Sequence, residues 1–569
     1  MTLSRSRWSI SDQPDQRLVE QLVQSLKVPR VLASLVAQRG HSTPEEAKRF
    51  LRPSLDSLHD PRLLRGMDRA VEILARAVGA GETIFVHGDY DVDGQCAVAL
   101  LTRTLRVANA SVVPFVPHRI RDGYDFGSAG IEAAKNVGAT VIVTCDCGIT
   151  ARDAVAQAVA EGFKVIVTDH HLPGELPPAD AVINPKQPGC EYPCKDLCGT
   201  GVIFKLAQAL IQEFSLSENL QYHLLDLAAL ATVADIVPLR DENRVIVHHG
   251  LKVLVASQWP GIRALLESSG LTGKVVTAGQ VGFILAPRLN AVGRISDANK
   301  GVELLLTDDG DQASKTAELL ERLNSERKSI DQRTLDEAIE IAEVDVDLEN
   351  EFGIVLASDG WHPGVIGIVA SRLVERYVRP VLMIAIDGNV GKGSGRSISS
   401  FDLHEALSSC SDLLVKFGGH KMAAGLTVDA SSIGALRERF HEVTRSALTK
   451  EDLVRTQRVD LLLSLDEADD QLERLLNHMQ PCGSGNPTPV LGVANVRAAG
   501  WRKLGNRHLK LTLDDGGIRL PAIGFNWVDR TSEQTLNGAI DVAFQLDRNE
   551  WRGRSELQAR IVDIMASEQ

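Results

Sequence analysis

Short apolar runs alternate with amphipathic helical segments in the first half of the chain. Five β-rich runs lie between about residues 83 and 185, namely TIFVH, SVVPFVP, ATVIVTCD, KVIVTDHH and DAVINP, and Ala- and Leu-rich segments separate them. This alternation predicts an α/β fold with a parallel, doubly wound sheet, in which ligands bind at the carboxyl ends of the strands. Residues 1–80 are predicted to be helical.

The remaining pattern predicts four further parts. Residues 200–300 read as mostly helical, and residues 311–345 contain no Gly or Pro, which predicts one long connecting helix. A second α/β unit follows, and the tail has strand-like runs separated by Gly, Asn and Asp turns, which indicates a small β-barrel. The predicted boundaries are 1–80, 81–310, 311–345, 346–450 and 456–569.

Composition narrows the class of protein but not its partner. A chain of 569 residues with 44% apolar residues is long enough for several domains with real cores. Its start has no apolar signal core and it has no apolar run of about 18 residues, so we expect a soluble, cytoplasmic protein with reduced cysteines. A net charge of −14 argues against a generic basic nucleic-acid binder, although bound cations can reverse the sign of a groove.

Acidic and imidazole side chains follow several of the predicted strands. The stretch VHGDYDVDGQCA places three aspartates directly after the first β-run, and further candidates follow the third and fourth β-runs and an apolar helix: Asp89, Asp91, Asp93, Asp146, Asp169, His170, His171 and Asp235. Because the carboxyl ends of parallel strands share one edge of a sheet, these groups can converge. A single such aspartate is commonly a helix N-cap, but the whole series favours a pair of Mn²⁺ or Mg²⁺ ions, with imidazole favouring Mn²⁺.

The ordered motifs resemble a known superfamily. GDYDVDG, DCGI, TDHH and ATVADIVPL match the motifs of the DHH phosphoesterase superfamily, and PRLNAVGRI, GSGRSI and FGGHKMAAGL resemble its DHHA1 module. Over nearly its whole length the chain resembles the bacterial single-stranded-DNA exonucleases of this superfamily. The resemblance implies a DHH doubly wound domain, a connecting long helix, a DHHA1 α/β domain and a C-terminal OB-like β-barrel.

The resemblance also implies roles for the clustered residues. Asp89 and Asp91 would each bind one ion, Asp146 would bridge both, and His170 and Asp235 would complete the second ion. His171 would lie beside the scissile phosphate and act with Asp146 in catalysis. Asp93 is expected to be structural or to support the ligands.

Three features leave alternatives open. Many superfamily members have a metal-binding histidine where this chain has Phe85; His87 could substitute, or it could be a histidine satisfied at the end of a strand. Cys147 stands where the related exonucleases usually have Asn. The spacing of Cys190, Cys194 and Cys198 invites a zinc or iron–sulfur interpretation, but no fourth ligand is evident.

Candidate DNA-binding residues lie outside the acidic cluster. By resemblance, a glycine-rich turn and an earlier motif recognise the 5′-phosphate and nearby backbone: Ser394, Arg396, Arg288, Asn290 and Arg294. His420, in a later motif, would be either a phosphate contact, which we favour, or a packing residue. In the tail, Trp501 is interleaved with basic residues, as on barrels that hold single strands, and a second basic stretch contains Arg548 and Arg552.

We therefore predict a 5′→3′ exonuclease that degrades single-stranded DNA by two-metal hydrolysis in recombination and repair. By resemblance it would be a monomer aided by a single-strand-binding protein and a RecQ-type helicase, with a channel between the first two domains that excludes duplex. Two alternatives remain: a phosphatase of short oligonucleotides or cyclic dinucleotides, and a non-catalytic scaffold of the Cdc45 kind.

Overall fold

The computed structural model describes residues 6–118, 122, 125–295, 297–551 and 554–567. The chain forms two compact units that are not contiguous in sequence. One contains Lys48–Ser325 and His478–Thr488, and the other contains Met1–Ala47, Glu326–Asn477 and Pro489–Gln569. In the described part of the chain, no helix combines the length and the apolar character needed to cross a bilayer.

A five-stranded parallel sheet lies in the first unit, as the alternating pattern predicts. Across the sheet, the strands are Ser111–Phe115, Thr83–Gly88, Val141–Cys145, Lys164–Thr168 and Ala181–Ile183. Side chains alternate between two cores: Ile84 and Val86 face one core, and Phe85 faces another. Both faces are buried, as is usual for a doubly wound parallel sheet.

Helices surround this sheet and continue beyond it. They are Met67–Ala80, Val92–Val107, Ser128–Asn136, Arg152–Ala160, Gly199–Glu213, Asn219–His223, Leu225–Ala234, Asp241–Val255, Pro260–Ser268, Ala278–Gln280, Ala286–Ile295 and Asn299–Leu306. A π-helical turn, Val281–Leu285, joins two of them. The predicted connecting helix is confirmed as Gly310–Asp345, a single helix that carries residues of both units.

The second unit contains a mixed sheet. Its strands, in order across the sheet, are Leu414–His420, Ala423–Asp429, Val390–Arg396, Val381–Asp387 and Ile354–Ser358. The last two pair in parallel and the other neighbours pair antiparallel. The accompanying helices are Ile366–Tyr377, Leu403–Ser408 and Ile433–Ala447.

The tail forms the predicted barrel. Its strands, in order, are Leu461–Leu462, Leu491–Leu504, His508–Asp514, Arg519–Gly524, Arg554–Ala566 and Ala539–Trp551. Leu491–Leu504 also pairs with Ala539–Trp551, which closes five of these strands into a barrel. Short helices Asp470–Leu476 and Glu533–Asn537 accompany it.

The N-terminal region departs from the prediction that residues 1–80 are helical. Helices Gln16–Leu26, Arg30–Gln38 and Pro44–Leu51 are present, but Arg7–Ile10 is a strand that pairs in parallel with Thr456–Val459. Trp8 Nε1 donates to Asp563 Oδ2 at 2.8 Å. A strand this short takes its conformation from a partner far away in sequence, so local periodicity could not predict it.

Candidate active site

The first acidic loop follows strand Thr83–Gly88 and starts the next helix. Asp91 is the N-cap of Val92–Val107, because its Oδ1 accepts from Asp93 N at 2.9 Å and Gly94 N at 3.1 Å. A Cβ at Gly94 would lie 2.3 Å from the Asp89 carbonyl oxygen, so a larger residue would displace the loop. The N-cap function and the clustering of carboxylates therefore coexist at this strand end.

Asp146 lies in a tightly held turn after strand Val141–Cys145. Its backbone has a φ of 63°, in the left-handed region, and its N–H donates to the Thr168 carbonyl at 3.0 Å. The following residues are also held, since Thr144 Oγ1 donates to the Cys147 carbonyl at 2.8 Å and Ile149 N donates to Asp169 Oδ2 at 3.0 Å. These contacts fix the backbone that presents the Asp146 carboxylate.

The side chains expected to bind metal converge at this edge of the sheet. His170 Nε2 lies 3.2 Å from Asp146 Oδ1 and 3.6 Å from Asp235 Oδ2. The groups whose ligand atoms all lie within 4.8 Å of one another are Asp89 with Asp91 and Asp146, Asp146 with His170 and His171, and Asp93 with His170 and Asp235. Asp146 is shared by the first two groups, which is the arrangement of a bridging ligand.

Asp93 has hydrogen bonds of a structural kind. Its two carboxylate oxygens accept from Gly199 N and Thr200 N, each at 2.7 Å, and its carbonyl accepts from Thr200 Oγ1 at 2.7 Å. Asp93 thereby satisfies the first N–H groups of helix Gly199–Glu213 and joins that helix to the acidic loop. Asp93 also belongs to one of the metal-suited groups, with His170 and Asp235, so its supporting role stays a prediction.

The electrostatics of the cluster call for cations. Burial, followed by the charge of Asp93, raises the pKa of Asp146 well above its ordinary value and that of Asp235 to about 8. Burial lowers the pKa of His170. Within the described residues, Asp146 Oδ1, Asp235 Oδ2 and both ring nitrogens of His170 are buried and make no hydrogen bond. Carboxylate oxygens and a neutral imidazole without hydrogen bonds fit a divalent cation.

His171 differs from its neighbour His170. Its Nδ1 lies 2.7 Å from Asp169 Oδ1, which leaves Nε2 for the cavity that the residue lines. Burial disfavours the charged ring, but the hydrogen bond and the charge of Asp169 raise the pKa of His171 to about 9. The hydrogen bond to Asp169 therefore favours the protonated ring of His171 and directs its Nε2 towards the cluster.

A cavity of about 330 Å³ opens onto the cluster. Four acidic residues of the cluster and three of their neighbours line one part of it: Asp89, Asp91, Asp146, Asp235, Tyr90, His171 and Ala234. Helix Ala286–Ile295 contributes Asn290, Gly293 and Arg294. Two of the predicted substrate residues, Asn290 and Arg294, are thus brought to the cluster. Asn290 Oδ1 also accepts from Val92 N at 3.2 Å.

Arg288 is not brought to this cavity, in contrast to the sequence-based expectation. Its side chain is buried, its Nε lies 2.5 Å from Glu321 Oε2, and a further nitrogen donates to the Ile284 carbonyl. The guanidinium is therefore engaged within the fold, because the helix turns this arginine away from the face that carries Asn290 and Arg294. Motif matching alone could not distinguish the two faces.

Ser394, Arg396 and His420 belong to the other unit and share one face of its mixed sheet. Ala423 lies between Arg396 and His420 in the register of three neighbouring strands, and Ser394 lies two residues before Arg396. Arg396 Nη1 donates to Ser394 Oγ at 3.1 Å. A Cβ at Gly367, near the start of helix Ile366–Tyr377, would meet both side chains at 2.8 to 2.9 Å. Hydroxyl, guanidinium and helix N-terminus are thus close together.

Of the barrel residues predicted to contact single-stranded DNA, some are exposed and others are paired with neighbouring side chains. Trp501 is half-buried and its Nε1 donates to Asn537 Oδ1 at 3.1 Å, whereas Arg502, Lys503 and Arg507 are exposed. Arg548 instead pairs with Glu473 at 2.8 Å and with Asp470, so it is engaged by acidic neighbours. Arg552 lies outside the described residues.

The structure also bears on His87 and the cysteines. His87 is buried against the rings of Phe115 and Phe126, and burial lowers its pKa to about 4. It is absent from the metal-suited groups of the described chain, which favours the satisfied strand-end histidine. Cys190, Cys194 and Cys198 are buried among apolar side chains, and no cysteine of the described chain joins those groups.

Sequence reasoning missed Asp125. Its Oδ1 accepts from Gly148 N at 2.7 Å and its Oδ2 accepts from Thr150 Oγ1 at 2.8 Å, so it holds the turn that presents Asp146. The residue lies in a polar loop without periodicity or motif, and no local signal distinguishes it from any turn-forming aspartate.

Comparison with family models divides the chain in the same order as the motifs. Residues 83–232 match the N-terminal domain of the DHH family, residues 350–446 match the DHHA1 domain, and residues 459–563 match the RecJ OB domain.

Individual relatives match over nearly the whole chain. The single-stranded-DNA-specific exonuclease RecJ of Bacillus subtilis is 40% identical over 575 residues, covering 100% of this chain and 72% of that protein. Two crystal structures of RecJ from Thermus thermophilus, in complex with Mn²⁺ and with Mg²⁺, are 34% and 32% identical, with TM-scores of 0.85 and 0.80. Each covers 99% of this chain, which in turn covers 80% and 79% of those chains.

Proposed function

Because the chain belongs to the RecJ family of single-stranded-DNA-specific exonucleases, we propose that its acidic cluster removes nucleotides from the 5′ end of single-stranded DNA. The chain is an enzyme of this family, and its DHH, DHHA1 and OB domains are those of an exonuclease. The observation that carries the site assignment is the convergence of Asp146, His170 and Asp235, whose facing ligand atoms are buried and make no hydrogen bond in the described part of the chain.

We assign two divalent cations to this cluster. Asp89 and Asp91 would each hold one of the two ions, Asp146 would be shared by both, and His170 and Asp235 would complete the set around the second ion. Related RecJ structures contain Mn²⁺ or Mg²⁺, and the donor set fits both, with the imidazole favouring Mn²⁺. Such a pair supplies the Lewis acidity and the activated water that phosphodiester hydrolysis requires.

The protein's own groups would orient the phosphate. Arg294 and Asn290 line the cavity, so a guanidinium and an amide can bind phosphate oxygens beside the carboxylates. His171 is held by Asp169 through Nδ1, so its Nε2–H would donate to the scissile phosphate or to the leaving oxygen when the ring is protonated.

The second unit would hold the strand end and the following nucleotides. We assign the 5′-phosphate to Ser394 and Arg396, with His420 on the same sheet face as a further contact, because a guanidinium, a hydroxyl and a helix N-terminus suit an anion. The barrel, with Trp501 and the exposed basic residues beside it, would hold single-stranded DNA by stacking and charge.

The biological setting follows from the substrate. A nuclease of chromosomal single strands would act in the bacterial cytoplasm, in recombination and in mismatch or excision repair. We propose that it works as a monomer, after a RecQ-type helicase has exposed the strand and with a single-strand-binding protein present.

An end-labelling experiment tests the proposal. A 5′-phosphorylated single strand labelled at its 3′ end should be shortened stepwise in Mn²⁺, and a blunt duplex of the same sequence should stay intact. Addition of EDTA should stop the reaction. Equal degradation of both substrates, loss of the 3′ label first, or hydrolysis in EDTA would contradict the proposal.

A further inference from the structure

Two large apolar side chains are exposed directly beside the metal-ligand residues. Leu172 follows His171 and is 79% exposed, and Ile236 follows Asp235 and is 73% exposed. The two segments meet at the cluster, where His170 Nε2 lies 3.6 Å from Asp235 Oδ2. Leu172 and Ile236 therefore belong to two chain segments that meet at the same candidate metal position.

The backbone of Ile236 is strained. Its φ is 61°, in the left-handed region, which β-branched residues rarely adopt because the Cβ crowds the backbone. Glycine or asparagine would fit this position with less strain. A strained, exposed isoleucine contributes nothing evident to the core, and strain of this kind commonly marks a functional position.

A third exposed apolar residue lies nearby. Phe283 is 86% exposed in the π-helical turn Val281–Leu285. The preceding Gly282 lies against the helix that ends at the cluster, since a Cβ on it would be 3.8 Å from Val233 Cγ1. The helix that follows the turn supplies Asn290 and Arg294 to the cavity.

We propose that Leu172, Ile236 and Phe283 form an apolar rim that receives unpaired nucleobases of the nucleotides flanking the scissile phosphate. The inference rests on the proposed function, because a phosphodiester held by the cluster brings its own bases to these side chains. An unpaired base can lie flat against an apolar side chain and be removed from water. In a duplex the base faces are already stacked, so the apolar rim would favour single strands.

Replacement of Ile236 by asparagine separates this role from a structural one. Asn tolerates a left-handed φ, so Ile236→Asn should unfold at the same temperature as the unmodified protein or at a higher one. The KM for a single strand in Mn²⁺ should nevertheless rise by about tenfold, with a smaller change in kcat, because an apolar base contact is lost. Val137→Asn is the matched control, because Val137 is 41% exposed and follows helix Ser128–Asn136.

Abasic substrates complete the test. Removing the bases of the first two nucleotides should raise the KM of the unmodified protein about as much as Ile236→Asn does, and the two changes together should add little. Binding to an intact and an abasic strand, measured by fluorescence anisotropy in EDTA, should follow the same order. Equal KM values and equal binding for all four combinations would overturn the apolar rim. Failure of the unmodified protein to hydrolyse any strand, with base-dependent binding retained, would instead contradict the proposed function.

Discussion

Two buried charged clusters lie in the same unit, and they differ in how far their charges are balanced: one is a lysine–glutamate pair, and the other contains several carboxylates that repel one another. Lys205 and Glu242 are both 0% exposed, and Lys205 Nζ lies 3.0 Å from Glu242 Oε1. Tyr192 OH and the His59 N–H also donate to the Glu242 carboxylate. In the acidic cluster, by contrast, burial and mutual repulsion raise the pKa values of Asp91, Asp146 and Asp235.

The difference separates structural charge from functional charge. A buried ion pair whose two carboxylate oxygens both accept hydrogen bonds needs no ligand. It also holds the loop at His59 against the helix that carries Glu242, since Lys205 Nζ donates to the His59 carbonyl. Buried carboxylates without a cation leave the fold less stable than it would be with neutral residues. Their presence at converging strand ends is explained by what they bind.

Replacing Asp146 by alanine should cause the largest change of those predicted. The change should lower the rate of hydrolysis without lowering the stability of the fold. Loss of the shared ligand should reduce hydrolysis of a single strand at least about a thousandfold, since two-metal catalysis contributes several kcal/mol. In EDTA, the melting temperature should be unchanged or higher, because one repelling carboxylate is removed. Rates in Mn²⁺ and thermal unfolding in EDTA measure the two effects.

Asp153→Ala, in helix Arg152–Ala160, provides the control for this change. It should leave both the rate and the unfolding temperature unchanged. A large loss of stability in Asp146→Ala would mean that the acidic cluster is structural, like the Lys205–Glu242 pair.

Replacing Glu242 by alanine should lower the stability of the fold and leave the rate of hydrolysis by the folded protein unchanged. The variant leaves Lys205 charged and buried without its partner, which should lower the free energy of unfolding by about 3–5 kcal/mol. The remaining folded protein should keep its kcat, because Glu242 is not a cavity-lining residue. Denaturant unfolding and active-site-normalised rates measure these quantities.

The exposed acid Glu213 offers a matched comparison, since it pairs with Arg62 at 3.5 Å on the surface. Glu213→Ala should change stability by less than about 1 kcal/mol. Similar losses of unfolding free energy in Glu242→Ala and Glu213→Ala would show that burial does not determine how much each ion pair matters.

Mn²⁺ should stabilise the protein more at pH 8 than at pH 5.5. The folded pKa of Asp235 is about 8, above its value of about 4 in an unfolded chain, so the contribution of Asp235 to the stability of the metal-free fold is lost as the pH rises from about 4 to about 8. Mn²⁺ at about 100 times its dissociation constant should add about 2.7 kcal/mol at pH 8, and protons should compete with it at pH 5.5.

Thermal unfolding with and without Mn²⁺ at the two pH values tests this prediction. The gain should be largely lost in Asp146→Ala. An equal gain at both pH values would indicate that Mn²⁺ binds elsewhere, at groups that do not titrate in this range.

Most of the acidic cluster could be predicted from the sequence. Asp89, Asp146 and His170 follow strands whose apolar runs are unmistakable, and parallel strands place their carboxyl ends together whatever the details of packing. The long helix Gly310–Asp345 was equally predictable, because it has no internal Gly or Pro. Periodicity and the geometry of parallel sheets account for these successes.

The buried ion pair of Lys205 and Glu242 could not be predicted from the sequence. Lys205 lies in an apolar helix and Glu242 at the start of another, and nothing local shows that they meet in the core. The ion pair of Arg288 with Glu321 and the strand Arg7–Ile10 were not predicted for the same reason: both depend on partners distant in sequence. The contacts of a side chain depend on tertiary packing, which a single sequence does not display.

Removing both charges of the Lys205–Glu242 pair should give the smallest change in stability. In the double variant Lys205→Met with Glu242→Gln, the glutamine carbonyl oxygen can still accept from the His59 backbone N–H, and its amide N–H can donate to the Tyr192 hydroxyl oxygen. Methionine fills much of the lysine's volume. No uncompensated charge remains, so the free energy of unfolding should lie within about 1–2 kcal/mol of that of the unmodified protein and well above that of Glu242→Ala. Denaturant unfolding of all three proteins measures this. A double variant as unstable as Glu242→Ala would mean that the pair stabilises the fold by its charges, and the contrast with the acidic cluster would then rest on metal binding alone.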